Sequence, residues 1–190
     1  MKGITIYGAS SPKIDPKYLS AARSLGELVA DSHLPLISGG GRAGVMAAAI
    51  EGCVSQGGTA IGILPQFMIE KNWQHPDLTE MRVTDGMHSR KEMMAELALG
   101  VVALPGGVGT LEELLEIITW RQLGLYGGNV VILNVGGYYD PLLKMLDRTI
   151  EEHFMNEDHR TLWRVASTPE EAVKMAKSPA EKHEYSTKIK

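Results

Sequence analysis

A single cysteine, Cys53, leaves the 190-residue chain without an internal disulfide or a cysteine-built metal site. No apolar run approaches the roughly 20 residues that cross a bilayer. The first residues, Met1 to Gly8, hold too few apolar side chains for a signal peptide. Positive charge is in short supply: 19 Lys and Arg against 23 Asp and Glu give a formal net charge of −4, hence no global pull toward nucleic acid or an anionic membrane. The six histidines include no i, i+4 pair of the kind that grips a metal. Internal repeats and linkers are missing too. These absences leave a cytoplasmic, globular protein as the expectation.

What is present fits that class. Hydrophobic residues make up 44% and charged residues 22%, too apolar a mixture for intrinsic disorder. At about 100–200 residues per domain, the length implies one domain, residues 1–178, with a polar tail at 179–190 expected to fray. Strands are expected at 3–7, 34–38, 59–64, 82–84, 100–104, 129–134 and 164–166, and helices at 16–31, 44–56, 88–99, 111–123, 140–154 and 169–176. Most strands are continuous apolar runs, such as Val101-Val102-Ala103-Leu104, the pattern of strands covered on both faces. Strand–helix alternation throughout predicts an α/β fold: a Rossmann-like, doubly wound parallel sheet of about seven strands with helices on both faces. Ligands of such sheets bind outside the carboxyl ends of the strands.

Three segments after strands stand out. The first, Ser38-Gly39-Gly40-Gly41-Arg42-Ala43-Gly44, fits G-x-G-x-x-G. It follows the second strand rather than the first, however, and the next strand ends in Leu64-Pro65 without the acid of a dinucleotide site. The second, Pro105-Gly106-Gly107-Val108-Gly109-Thr110, has three glycines in four residues ahead of a helix start and forms a phosphate cradle. It lacks the Gly-Lys-Ser/Thr ending of a triphosphate loop, which favours a monophosphate. The third, Met87-His88-Ser89-Arg90-Lys91-Glu92, sets two cations in a first helical turn, against the helix dipole. Arg90 suits a fixed bidentate contact and Lys91 a point charge.

Glu112 and Glu113 open the helix after the second loop. Thr110-Leu111-Glu112-Glu113 satisfies the capping-box pattern, so Glu113 has a purely structural reading, in which it holds the Thr110 N–H. Its place beside a phosphate cradle supports another: a carboxylate facing the ribose, whose ring becomes cationic when a glycosidic bond breaks. Cys53 lies in register with Met46, Ala49 and Ile50 and reads as a core thiol, while Met87, Met93 and Met94 read as core or interface filler.

Pro105 through Glu113 resembles the P-G-G-x-G-T-x-x-E signature of the Lonely Guy (LOG) family, cytokinin riboside 5′-monophosphate phosphoribohydrolases often mislabelled lysine decarboxylases. Met87-His88-Ser89-Arg90-Lys91 is similar to the companion motif M-H-x-R-K, and Gly39-Gly40-Gly41 to the family's Y-G-G-G segment. The likeness covers residues 3–155. It implies a cofactor-free and metal-free enzyme that hydrolyses the N-glycosidic bond of a nucleoside 5′-monophosphate (AMP or a cytokinin riboside 5′-monophosphate) to free base and ribose 5-phosphate. It implies catalytic roles for Glu113 and Arg90. Substrate contacts fall on Lys91, Gly107, Val108, Gly109, Thr110, Leu111, Glu112, Thr119, Gly40 and Gly41. The family also implies a homodimer, in keeping with the excess apolar surface of Leu111, Leu114, Leu115, Ile117, Ile118, Trp120 and Leu125. Arg42 departs from the pattern, which commonly has a small residue there, and so does the stretch after Pro65, where Glu70 stands near the position of a substrate-contacting acid in the plant enzymes. The alternative reading is a carrier of a phosphorylated ligand such as molybdenum cofactor, without turnover. No lysine lies in a recognisable pyridoxal-phosphate setting, which counts against amino-acid decarboxylation.

Overall fold

A computed structural model describes residues 1–180; of the tail expected to fray, residues 181–190 lie outside the described part. The chain alternates strictly. β1 (Gly3–Tyr7) leads into α1 (Pro16–Asp31), β2 (Leu36–Ser38) into α2 (Gly44–Ser55), and β3 (Ala60–Pro65) into the short α3 (Gln66–Glu70). Then follow β4 (Glu80–Thr84), α4 (Met87–Glu96), β5 (Ala98–Ala103), α5 (Val108–Gln122), β6 (Asn129–Leu133), α6 (Asp140–Glu151), β7 (Arg164–Ala166) and α7 (Pro169–Lys177), with short 3-10 segments at Val135–Gly137 and Glu157–Leu162. The seven strands form one parallel sheet in the order β4-β3-β2-β1-β5-β6-β7. No helix is long and apolar enough to cross a membrane among the described residues.

The continuous apolar strands have a simple cause. In β5, Val102 packs with α1, α2 and α7 on one face, while Val101 and Ala103 pack with α4, α5 and α6 on the other. Both faces of each central strand are therefore dry, and alternation in hydrophobicity is lost. Cys53 belongs to the first core and is fully buried, which pushes its thiol up to about 11. That places it where the helical register predicts.

Several element boundaries differ from expectation, most by one or two residues, and some of the differences have a clear local reason. β2 starts at Leu36, because Pro35 has no N–H to give a ladder, although its carbonyl still accepts from Ile4. Residues 97–99, expected as the end of α4, leave the helix: Ala98 pairs with Gly3, and the Gly3 N–H bonds the Leu97 carbonyl. α6 stops at Glu151, ahead of His153 at φ +63°. α3 was not anticipated. α5 starts at Val108, three residues early, so Gly107 rather than Thr110 is its N-cap.

The strand order has one consequence for function. From β1 the chain moves outward through β2, β3 and β4, then crosses back to β5 on the other side of β1. The segments after β1 and β5 thus diverge and leave a crevice at the carboxyl rim.

Candidate active site

A cavity of about 920 Å³ occupies that crevice. Its walls are the segment after β1 (Gly8, Ala9, Ser10, Ser11), the first glycine loop (Gly39, Gly41, Arg42, Ala43), the strap after β3 (Met68, Lys71, Asn72, Trp73) and the start of α5 (Gly107, Gly109, Thr110, Glu112, Glu113). Arg90, Met46, Leu64 and Met87 complete the lining. Met87 is thus a wall residue rather than filler.

Arg90 and Glu113 meet at the centre. Arg90 comes from α4, with its side chain only 7% exposed. Its Nε donates to the Ile63 carbonyl of β3 at 3.0 Å, and its Nη1 donates to Glu113 Oε1 at 3.2 Å. On the remaining side Nη2 presses on Gly39, where an added Cβ would lie 1.7 Å away. Gly39 is therefore glycine for the sake of the guanidinium. Glu113, 13% exposed, has its carboxyl raised above the ordinary carboxylate range. Burial is the main cause, opposed by the Arg90 charge and reinforced by Glu112. A carboxylate so placed is a stronger base than one in water, yet keeps a cation beside it. The capping-box reading is set aside: Thr110 lies inside the helix and Glu113 turns to Arg90.

The start of α5 carries no side-chain cap. Its first N–H groups therefore lack helical and side-chain partners, and Gly107, Gly109 and Thr110 line the cavity at that end, an arrangement suited to an anion. Added Cβ atoms at Gly107 and Gly109 would meet nothing within 4 Å, whereas one at Gly106 would collide with the Thr110 hydroxyl at 2.1 Å. Two tyrosines anchor the loop from behind: Tyr138 donates to the Gly106 carbonyl at 2.7 Å and Tyr139 to the Leu104 carbonyl at 2.6 Å.

Of the expected site residues, Arg90, Glu113, Glu112, Gly107, Gly109, Thr110 and Gly41 share the cavity wall. Lys91, Val108, Leu111, Thr119 and Gly40 do not line it. Lys91 Nζ donates to Glu112 Oε1 at 2.5 Å and to Glu116 Oε1 at 3.0 Å, clamping α4 to α5. Burial works against its charge, but the two carboxylates outweigh that and hold the ammonium above its usual value. Gly40 is buried at φ +67° against Leu64, a packing role. Thr119 is exposed and donates to the Leu115 carbonyl. Sequence reasoning missed the small, hydroxyl-bearing stretch Gly8-Ala9-Ser10-Ser11, whose signal was its position directly after the first strand; the stretch after Pro65, marked as a departure from the family pattern, supplies the strap with Lys71, Asn72 and Trp73. Glu70, a candidate for the plant acid, is not among the wall residues. No cluster of His, Cys, Asp and Glu fit for a metal occurs among the described residues.

A family model described as "Possible lysine decarboxylase" matches residues 46–176. The cytokinin riboside 5′-monophosphate phosphoribohydrolase of Rhodococcoides fascians is 37% identical over 179 residues, which are 94% of this chain and 90% of that enzyme. The chain belongs to the LOG family. The Oryza sativa subsp. japonica member named LOG is 39% identical over 90% of this chain and 70% of its own. Among solved structures, the LOG-family chain superposes on the molybdenum cofactor binding protein of Rippkaea orientalis with a TM-score of 0.68 and 23% identity, covering 92% of this chain and 94% of that one. The molybdenum cofactor carrier protein of Chlamydomonas reinhardtii gives a TM-score of 0.67 and 24% identity over 92% and 95%. At such identity these two structures speak for the fold alone.

Proposed function

We propose that the protein hydrolyses the N-glycosidic bond of a nucleoside 5′-monophosphate to free base and ribose 5-phosphate, the activity named for its relatives. The observation that carries this reading is the buried Arg90–Glu113 pair on the wall of the cavity that also holds the uncapped start of α5. The 5′-phosphate sits on the N–H groups of residues 107–110, which fixes the ribose against Glu113. The C1′–N bond breaks with its electron pair going to the base, and the carboxylate stabilises the cationic sugar. Water then bonds C1′, and its proton passes through Glu113 to the departing base. Arg90 holds the carboxylate in place and balances its charge.

A carrier of a phosphorylated pterin shares the fold. A buried carboxylate beside an anion cradle weakens the hold on a phosphate, however, and serves bond cleavage instead. Incubation of the pure protein with AMP is expected to release adenine and ribose 5-phosphate; intact AMP at stoichiometric enzyme would reject the hydrolase.

The reading includes a cytosolic homodimer. Val108, Leu115, Leu123 and Leu125 are 84%, 41%, 44% and 71% exposed along α5 and just beyond it, an apolar stripe that a second copy would cover. Thr119 shares that side, one turn after Leu115, so its expected substrate contact would be made across the dimer. Light scattering after size exclusion that gave 20.7 kDa at micromolar concentration would reject the dimer.

A further inference from the structure

Directly after β6 the chain makes a tight turn, residues 134–140, next to the loop that follows β5. Gly136 and Gly137 take φ of +60° and +74°, where a side chain would be strained. Asn134 closes the turn: its Oδ1 accepts from the Tyr139 N–H at 2.7 Å, and its Nδ2 donates to Asp140 Oδ1 at 2.7 Å. So built, the turn sets two adjacent tyrosines against the β5 loop. Tyr138 donates to the Gly106 carbonyl at 2.7 Å, and Tyr139 to the Leu104 carbonyl at 2.6 Å. The Tyr138 ring meets both Tyr18 and Tyr139 edge to face, with centroids 5.7 Å and 5.1 Å away.

The two hydroxyls look equivalent, yet the peptides they hold are not. A trans peptide points its C=O and its N–H in opposite directions, and no cis peptide occurs among the described residues. The bond from Tyr138 to the Gly106 carbonyl therefore turns the Gly107 N–H away from the tyrosine. Gly107 lines the cavity, whereas neither Gly106 nor Tyr138 does, so that N–H is turned to the cavity side. It has no hydrogen-bond partner among the described residues. Without the tyrosine, the peptide between Gly106 and Gly107 could turn over with both Cα atoms in place, since glycine tolerates either orientation. Its carbonyl would then face an incoming anion. Tyr139 holds the peptide between Leu104 and Pro105, and proline has no N–H to aim.

We propose that Tyr138 is a positioning residue for the substrate phosphate: its hydroxyl locks the 106–107 peptide with the N–H presented to the anion. Tyr138 touches no ligand itself and acts through the Gly106 carbonyl. Tyr139, with the same chemistry one residue on, serves stability alone. The proposal rests on the reading above, in which the 5′-phosphate sits at the start of α5, and adds to it the group that orients the first donor.

The test measures equilibrium binding of ribose 5-phosphate, which carries the anion, and of adenine, which does not, together with the KM for AMP. Tyr138→Phe keeps the ring contacts and is expected to melt within about 2 °C of wild type. Its affinity for ribose 5-phosphate should fall about tenfold, the scale of one charge-assisted hydrogen bond, while adenine binding holds within about twofold. The KM for AMP should rise by the same factor, with kcat within a few-fold of wild type. Tyr139→Phe leaves a buried carbonyl unpaired, so its Tm should fall by several degrees while ribose 5-phosphate binds within about twofold of wild type. The proposal is overturned if Tyr138→Phe weakens both ligands together or neither, or if Tyr139→Phe weakens ribose 5-phosphate equally. A wild type that binds ribose 5-phosphate but cleaves no AMP removes the hydrolase reading and leaves the binding comparison to judge Tyr138. A wild type that does not bind ribose 5-phosphate overturns the cradle and this inference together.

Discussion

The two glycine loops look alike in sequence and do opposite things. In the loop after β2 the glycines are hemmed in by protein: Gly39 by the Arg90 guanidinium, Gly40 by Leu64, and Gly44, at φ +68°, by the carbonyls of Ala9 and Ser11. In the loop after β5, Gly107 and Gly109 face open space. The first loop uses missing side chains to let protein approach protein. The second leaves room for something that is not protein. Glycine content alone therefore does not mark a ligand site; the emptiness around the glycine does.

On the proposed reading, chemistry belongs beside the second loop, so the largest effect should come from Glu113→Gln. Turnover is expected to fall by about 10²- to 10⁴-fold, the range for a lost acid–base group, with AMP affinity within a few-fold by equilibrium binding. A mutant that still releases adenine at near the wild-type rate would remove Glu113 from the mechanism.

The contrast itself is tested by a pair of alanines. Gly39→Ala drives a Cβ into Arg90 and should cost about 1–3 kcal/mol, as overpacking does, lowering Tm by several degrees at roughly 2–4 °C per kcal/mol. Gly109→Ala meets no protein atom within 4 Å and should leave Tm unchanged or slightly raised, since alanine is the better helix former. Its expected cost is a KM for AMP raised roughly tenfold, the scale of one charge-assisted hydrogen bond. If the two variants lose Tm and activity alike, the distinction between the loops fails.

Two smaller effects follow from the raised Glu113 carboxyl. Activity needs the carboxylate, so kcat against pH should fall on the acid side at a pH above that of an ordinary glutamate; an acid limb at the unperturbed position would contradict the burial effect. The linkage sign is the reverse of the usual carboxylate case. The folded pKa lies above the unfolded one, so the stabilising contribution is present at low pH and is lost as pH rises through the folded value. Glu113→Gln should therefore melt slightly above wild type at neutral pH, and the gain should vanish in acid, as thermal melts at two pH values would reveal.

Much of this was legible beforehand because burial on both faces writes itself into sequence. β5 and β6 read as unbroken apolar runs, and the helices between them as stripes. The Arg90–Glu113 meeting was accessible through motif and spacing. Three things were not. The start of α5 was misplaced because Thr110 and Glu113 mimic a capping box, and only tertiary contact shows that Glu113 prefers Arg90. Lys91 looked as free as its neighbour, yet the helical turn that buries Arg90 under the cavity points Lys91 at Glu112 and Glu116. The strap lacked any periodic signal, since its order comes from main-chain bonds to residues 40–42 across a long sequence gap.

The lysine clamp has one more consequence. Lys91 ties α4 to α5 at a second point, so the two helices that carry Arg90 and Glu113 are joined both at the pair itself and through the ammonium beside it. The opposite bank is held far more lightly: its five-residue helix buries no side chain, and the rings of Phe67 and Trp73 stay half exposed, so local opening costs least on that side.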